Sequence, residues 1–238
     1  MKKTVLAVLA VLAFSSCTPP KYVGYVSVFK DWKAGVPWGW QVITDREGDH
    51  FASTNLIGPF EPLFYLGAPS LSVRWYKYAS AHRLADGLLE RFDSVDDFSQ
   101  QMLAHVYGPD YQLKKVLNDN SLAAQGIVDG KTKQGLSVKQ FVVLSPVPVP
   151  KSTKWGTVVE REGGRVTNLR LHAYTLIPMK TGFYVLVYPA TRDGFKIYEG
   201  HYNQLVNSFR PLTEGPNGPK VEADGKASAS APAPGPKR

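Results

Sequence analysis

In several segments of this 238-residue chain, apolar positions recur every second residue. Residues 71–78 are the clearest instance, with Leu71, Val73 and Trp75 alternating with Ser72, Arg74 and Tyr76. Alternation of this kind turns every other side chain toward a buried face and predicts a strand. Aromatic and β-branched residues suit a pleated, half-buried surface. They predict further strands at 37–43, 51–56, 111–117, 122–128 and 136–144. Two β-rich runs flank Glu162-Gly163-Gly164-Arg165, so 155–162 and the run after it read as a hairpin. The strands at 170–177 and 183–188, joined through Lys180-Thr181-Gly182, read as antiparallel neighbours. Pro146, Pro148 and Pro150 alternate with Val147 and Val149. Without N–H donors this piece is excluded from a sheet interior and is expected as an extended surface segment.

The period shifts toward 3.6 in two places. Ser94 is a good N-cap, Asp96 and Asp97 suit the positive end of a helix dipole, and Val95, Phe98, Met102 and Val106 share one face before Gly108-Pro109. A second helix is predicted at 194–209, with Phe195, Tyr198, Tyr202, Leu205, Val206 and Phe209 as its stripe and Pro211 as its stop. Strands, a helix, more antiparallel strands and a closing helix predict an α+β fold: an antiparallel β-sheet packed with helices on its faces, an αβα sandwich.

The ends differ from this middle. Lys2 and Lys3 precede an apolar run at 5–14, two serines and then Cys17, the only cysteine. Charged, apolar and small-residue regions in that order make a secretory signal, and the run is too short to span a bilayer. The stretch Phe14-Ser15-Ser16-Cys17 resembles the lipobox of bacterial lipoproteins, although Phe14 stands where an aliphatic residue is usual. That resemblance implies a lipid on Cys17, cleavage before it, and a firm anchor of more than one acyl chain. Thr18 in place of Asp favours the outer membrane, facing the periplasm, if the organism has two membranes. The expected organisation is a signal at 1–16, an anchor and short tether at 17–34, a domain at 35–212, and a disordered Ala/Pro/Gly/Ser/Lys-rich tail at 213–238. Residues 22–29 alternate weakly and fit either a strand or an ordered tether.

Charge adds a possible surface. The chain carries a net charge of +8, and residues 131–180 hold nine Lys or Arg against Glu160 and Glu162. A basic region of this kind meets acidic headgroups, cell-wall polymers or an acidic protein, and a solvated face is the blander reading. Export excludes nucleic acid as a partner. Lys151, Lys154, Arg161 and Arg165, with Trp32 and Trp38 near loops, are the candidate binding surface; Trp40 and Trp75 are assigned to the core. Among the five histidines there is no HExxH. A weak metal grouping of His82, Asp86 and His105 requires 79–91 to be helical, and satisfied histidines are the simpler reading. His172 lies in a strand and is free to face either side. Nucleophile elbow, P-loop and dinucleotide fingerprint are all absent from the sequence. No enzyme activity and no cofactor are expected.

Several segments resemble the PsbP-like family, which includes the extrinsic photosystem II protein and relatives of the Ran-binding Mog proteins. These are the opening Pro37-to-Val42 strand, the helix from Ser94 to Met102, and the passage from Tyr184-Val185-Leu186-Val187-Tyr188 to Asn207-Ser208-Phe209-Arg210. The resemblance implies a binding or assembly-support module in place of an enzyme. A photosynthetic role does not carry over, and the proline-rich segment and basic excess depart from the family. The alternative is a lipoprotein that binds cell wall or carbohydrate through exposed aromatics and basic residues; a further alternative is an enzyme whose site the sequence does not display.

Overall fold

A computed structural model describes residues 21–61, 67–84, 87–107, 109–114, 126–148, 160–162 and 165–221. The chain opens with β1 (Tyr22–Val26) and β2 (Trp32–Pro37), which pair antiparallel. Then come β3 (Gln41–Glu47), β4 (Phe51–Ile57), β5 (Ser70–Lys77), β6 (Ala81–Arg83) and β7 (Leu89–Arg91). Helix α1 (Val95–Gln101) runs into a π-helical turn at Met102–Val106. Next are β8 (Gln112–Lys114), β9 (Val128–Lys131), β10 (Ser137–Pro148), β11 (Glu160–Glu162), β12 (Arg165–Pro178) and β13 (Gly182–Thr191). Helix α2 (Phe195–Ser208) and β14 (Arg210–Pro211) close the fold.

The main sheet has the order β3-β4-β5-β13-β12-β10-β8, with β11 paired to β12 and β9 to β10. Every one of these pairings is antiparallel. Its central strand β13 is apolar at nearly every position because both faces are covered. Tyr184, Leu186 and Tyr188 face a core built with Trp32, Ala34 and Val36 of β2 and Phe195, Tyr202, Leu205 and Phe209 around α2. Phe183, Val185 and Val187 face the other core, closed by Phe92, Val95, Phe98, Met102 and Leu103. Each such side chain, fully buried, contributes about 1.5–3 kcal/mol. The α+β architecture with helices on both faces is therefore as expected.

Ser94 caps α1 as the sequence predicts: its Oγ accepts from the Asp97 amide at 3.0 Å, and Asp97 Oδ2 accepts from the Asp93 amide at 2.9 Å. The first bond satisfies a donor that the first helical turn leaves open, and the second ties Asp97 back to the residue before the cap. The Glu162–Arg165 hairpin also forms, with Glu160 opposite Thr167. Parts of the strands expected at 111–117, 122–128 and 155–162 lie outside the described residues.

Four expectations change. The described fold already includes the residues before Gly35: β1 and β2 join β14 in a small sheet, and the Gly35 amide donates to Ser208 Oγ of α2 at 2.8 Å. The weak alternation of 22–29 belongs to a strand at the edge of that sheet. The tail also starts later. Thr213 bridges to Lys220, Glu214 accepts from the Thr181 amide at 2.9 Å, and Gly215 lies so close over Trp75 that no Cβ fits. Hydrogen bonds hold this segment, so its poverty in apolar residues misled the boundary; residues 222–238 are outside the description. The proline segment is a strand: β10 continues through Pro148, paired with β12 on one side, while its pairing with β8 covers only 142–144. Alternate residues of a strand direct their N–H groups to the same side, so Pro146 and Pro148 fit the side of β10 that has no partner strand there among the described residues; Pro150 lies outside them. Finally, β6 and β7 form a hairpin where a helix would have put His82 and Asp86 on one face.

Candidate functional site

On the α1 face of the sheet, β12 presents Arg170, His172 and Tyr174 in alternation, each two residues apart and therefore pointing the same way. The π turn delivers Tyr107 onto this row. Single π turns inside helices frequently mark functional sites. Tyr107 Oη lies 2.6 Å from His172 Nδ1 and 2.5 Å from Tyr174 Oη. The Arg170 guanidinium sits over the Tyr107 ring, 5.5 Å from its centroid, and the His172 ring meets that ring edge-on at 5.6 Å. Ser145 of β10, wholly buried opposite Arg170, donates from Oγ to the Tyr107 carbonyl at 3.1 Å. Tyr107 is thus fixed at both its backbone and its hydroxyl.

The electrostatics are one-sided. Desolvation first, and then the positive charges of Arg170 and Arg74, push the His172 pKa down from 6.5 to about 3. Burial raises the Tyr107 and Tyr174 hydroxyls well above their ordinary value. Near neutral pH the imidazole is uncharged and both phenols are protonated, so the pair is not tuned for proton transfer. Its hydrogen bonding is also incomplete. His172 is 6% exposed, and among the described residues its Nε2 has no partner; nor, among them, has the buried Nε of Arg170.

The residues singled out from sequence scatter. Trp32 is only 2% exposed and stacks on Phe209, so it leaves the binding surface and joins the core. It alternates with Ala34 and Val36 on β2, a pattern obscured by the lysine and glycine between them. Trp38 is 53% exposed, in the turn after β2. Trp75 is buried as expected, and Trp40 packs partly against the same core. Cys17, Lys151 and Lys154 lie outside the described residues; Arg161 and Arg165 face each other's neighbours across the β11–β12 hairpin. His82 and His105 do not converge: His105 is exposed on the π turn, and Asp86 is outside the description. His82 instead stacks on Phe51 at 3.5 Å and contacts Glu47 Oε2 through Nδ1 at 2.6 Å. The Arg83 amide donates to the same oxygen at 3.0 Å; this bond foremost, then His82, lowers the Glu47 pKa from 4.5 to about 2. Among the described residues no group of His, Cys, Asp and Glu is placed to hold a metal ion.

Sequence reasoning left His172 without a side and passed over Arg170, Tyr107 and Tyr174. The signal was present: in Arg170-Leu171-His172-Ala173-Tyr174 the polar-tipped residues share one parity and the apolar ones the other.

No protein-family model matches the chain, and no curated protein does. Among solved structures, the cyanobacterial PsbP (CyanoP) of Synechocystis sp. PCC 6803 is similar with a TM-score of 0.44 and 10% identity, over 83% of this chain and 96% of that one. A protein of unknown function from Pseudomonas aeruginosa gives 0.41 and 14%, over 81% and 98%. The protein Mog1 gives 0.41 and 10%, over 81% and 96%. At these values the likeness assigns no family, activity or partner to this chain.

Proposed function

We propose that this chain is a non-enzymatic binding or assembly module of the cell envelope, held at the membrane by lipid on Cys17. The observation that carries the reading is the sole cysteine, placed directly after a complete signal layout. The fold adds a spatial consequence. Lys21 opens the described domain four residues past Cys17. Such a link reaches about 14 Å at full extension, so the domain would work against the membrane surface. Uncharged His172 and protonated Tyr107 fit a binding role better than acid–base catalysis.

The experiment is Cys17→Ala with membrane fractionation and metabolic acyl labelling. Loss of label and release from the membrane are expected; an unlabelled normal protein, or a variant that stays bound, refutes the anchor. A second reading, glycan binding by exposed aromatics, now rests on Trp38 with Phe60, which is also exposed. Loss of cell-wall pull-down in Trp38→Ala would favour it.

A further inference from the structure

We propose that Arg170 and His172 form a buried binding site for a small oxyanion, a carboxylate or phosphate group, with Tyr107 as the positioning residue. The accounting of hydrogens leads there. Tyr107 Oη has one proton and two close neighbours, His172 Nδ1 and Tyr174 Oη. If Tyr174 donates to Tyr107, then Tyr107 donates to Nδ1, and Nε2 of the neutral imidazole carries the proton. Tyr174 has no other hydroxyl contact among the described residues, which favours this arrangement. Nε2–H is then a buried donor with nothing to receive it. Arg170 repeats the pattern two residues away on the same face of β12, with a buried Nε–H that has no acceptor.

A buried donor without a partner is costly, and these two project from the same face of β12, two residues apart, where one acceptor could serve both. Two features select an anion. Among the described residues no carboxylate pairs with Arg170, and Arg74 adds positive potential at His172 and Tyr107. Hydrogen bonds from charged donors to an oxyanion are the strong ones, and Arg suits a planar or tetrahedral oxygen cluster. Nothing in this argument depends on the lipid anchor.

The test is titration of the full chain with inorganic phosphate and, separately, with acetate. Calorimetry would run alongside NMR of the His172 Nε2 resonance. A saturable response localised to His172 is expected, and the more effective anion identifies the group recognised. Arg170→Met should weaken binding by roughly tenfold or more, the loss of a charged hydrogen bond. Tyr107→Phe, which frees the imidazole to turn, should weaken binding and alter the tautomer signal, an effect that a purely structural role would not produce. Lys196→Met removes an exposed charge on α2 and should change nothing. No saturable response at His172 to either anion overturns the proposal, since the two donors then face only water. An equal loss in Lys196→Met and Arg170→Met also overturns it, because the effect would then be general charge screening. If Arg170→Met fails to fold, the His172 resonance of the unaltered protein still decides the question.

Discussion

The networks around Asp31 and His172 lie on opposite faces of one sheet, and both bury ionisable groups beside tyrosines. On the α2 face, Asp31 is held by Ser27 through Oδ1, and Tyr184 Oη lies 3.2 Å from Oδ2. The Asp31 carbonyl accepts from the Leu212 and Thr213 amides at 2.7 and 3.1 Å. Ser27, Asp31 and Tyr184 all have partners, and together they tie β2, β13 and the terminal segment into one body. On the α1 face, Tyr107 makes short bonds to both His172 and Tyr174, 2.6 and 2.5 Å, yet Nε2 of His172 and Nε of Arg170 are left over among the described residues. A satisfied network rigidifies a fold, whereas donors left over call for an explanation such as an ordered water, an ion or a ligand; on the Asp31 side the one such group among the described residues is the neighbouring Tyr25 hydroxyl. The difference separates a structural device from a candidate site more clearly than burial does.

Acid should separate the two most strongly. The folded His172 pKa is depressed to about 3 against 6.5 unfolded, so between those values the unfolded chain binds the extra proton. Stability falls as pH drops through that window, by up to about 1.4 kcal/mol per pH unit and several kcal/mol in all. Asp31 acts in the opposite sense: burial raises its pKa, so its contribution is full below 3.8 and is lost as pH rises through the higher folded value. Urea midpoints followed from pH 7 to pH 3 should show a net fall that His172→Leu flattens. A fall of the same slope in that variant would remove His172 as its source.

Asp31→Ala comes next, with an expected loss of about 2–4 kcal/mol in equilibrium unfolding, because Ser27 and Tyr184 lose a buried partner together. A cost below about 1 kcal/mol would mean that this network is not the clasp described. Ser94→Ala sets the scale of an ordinary single bond, with a loss of about 1 kcal/mol through the α1 cap. His172→Leu at neutral pH should come last, changing stability by less than about 1 kcal/mol: it removes the unpartnered Nε2–H together with the Nδ1 acceptor of Tyr107, so one unsatisfied donor replaces another. A large loss there would place His172 in the same structural class as Asp31.

Much of the fold was legible because its signals are local. The Ser94 cap, the stripe of α2 and the pairing of Glu162 with Arg165 each depend on residues close together along the chain. The run 183–188 was read as a strand, and its continuous apolarity has its reason in a strand covered on both sides. Trp32 was misplaced because its burial depends on Phe209, far along the chain. The hairpin of β6 and β7 was missed for a related reason: these strands are three residues long, too short to display a period.

By itself the sequence determined most of the elements and the two-residue period that makes them a sheet. It also determined that Arg170, His172 and Tyr174 share a face, since parity on a strand is a matter of backbone geometry. Only the tertiary structure decided that this face is covered by Tyr107, 65 residues away from His172, and that two nitrogens beneath it go without partners. A side chain's direction is set by its own backbone, but its satisfaction is set by whatever long-range packing brings against it.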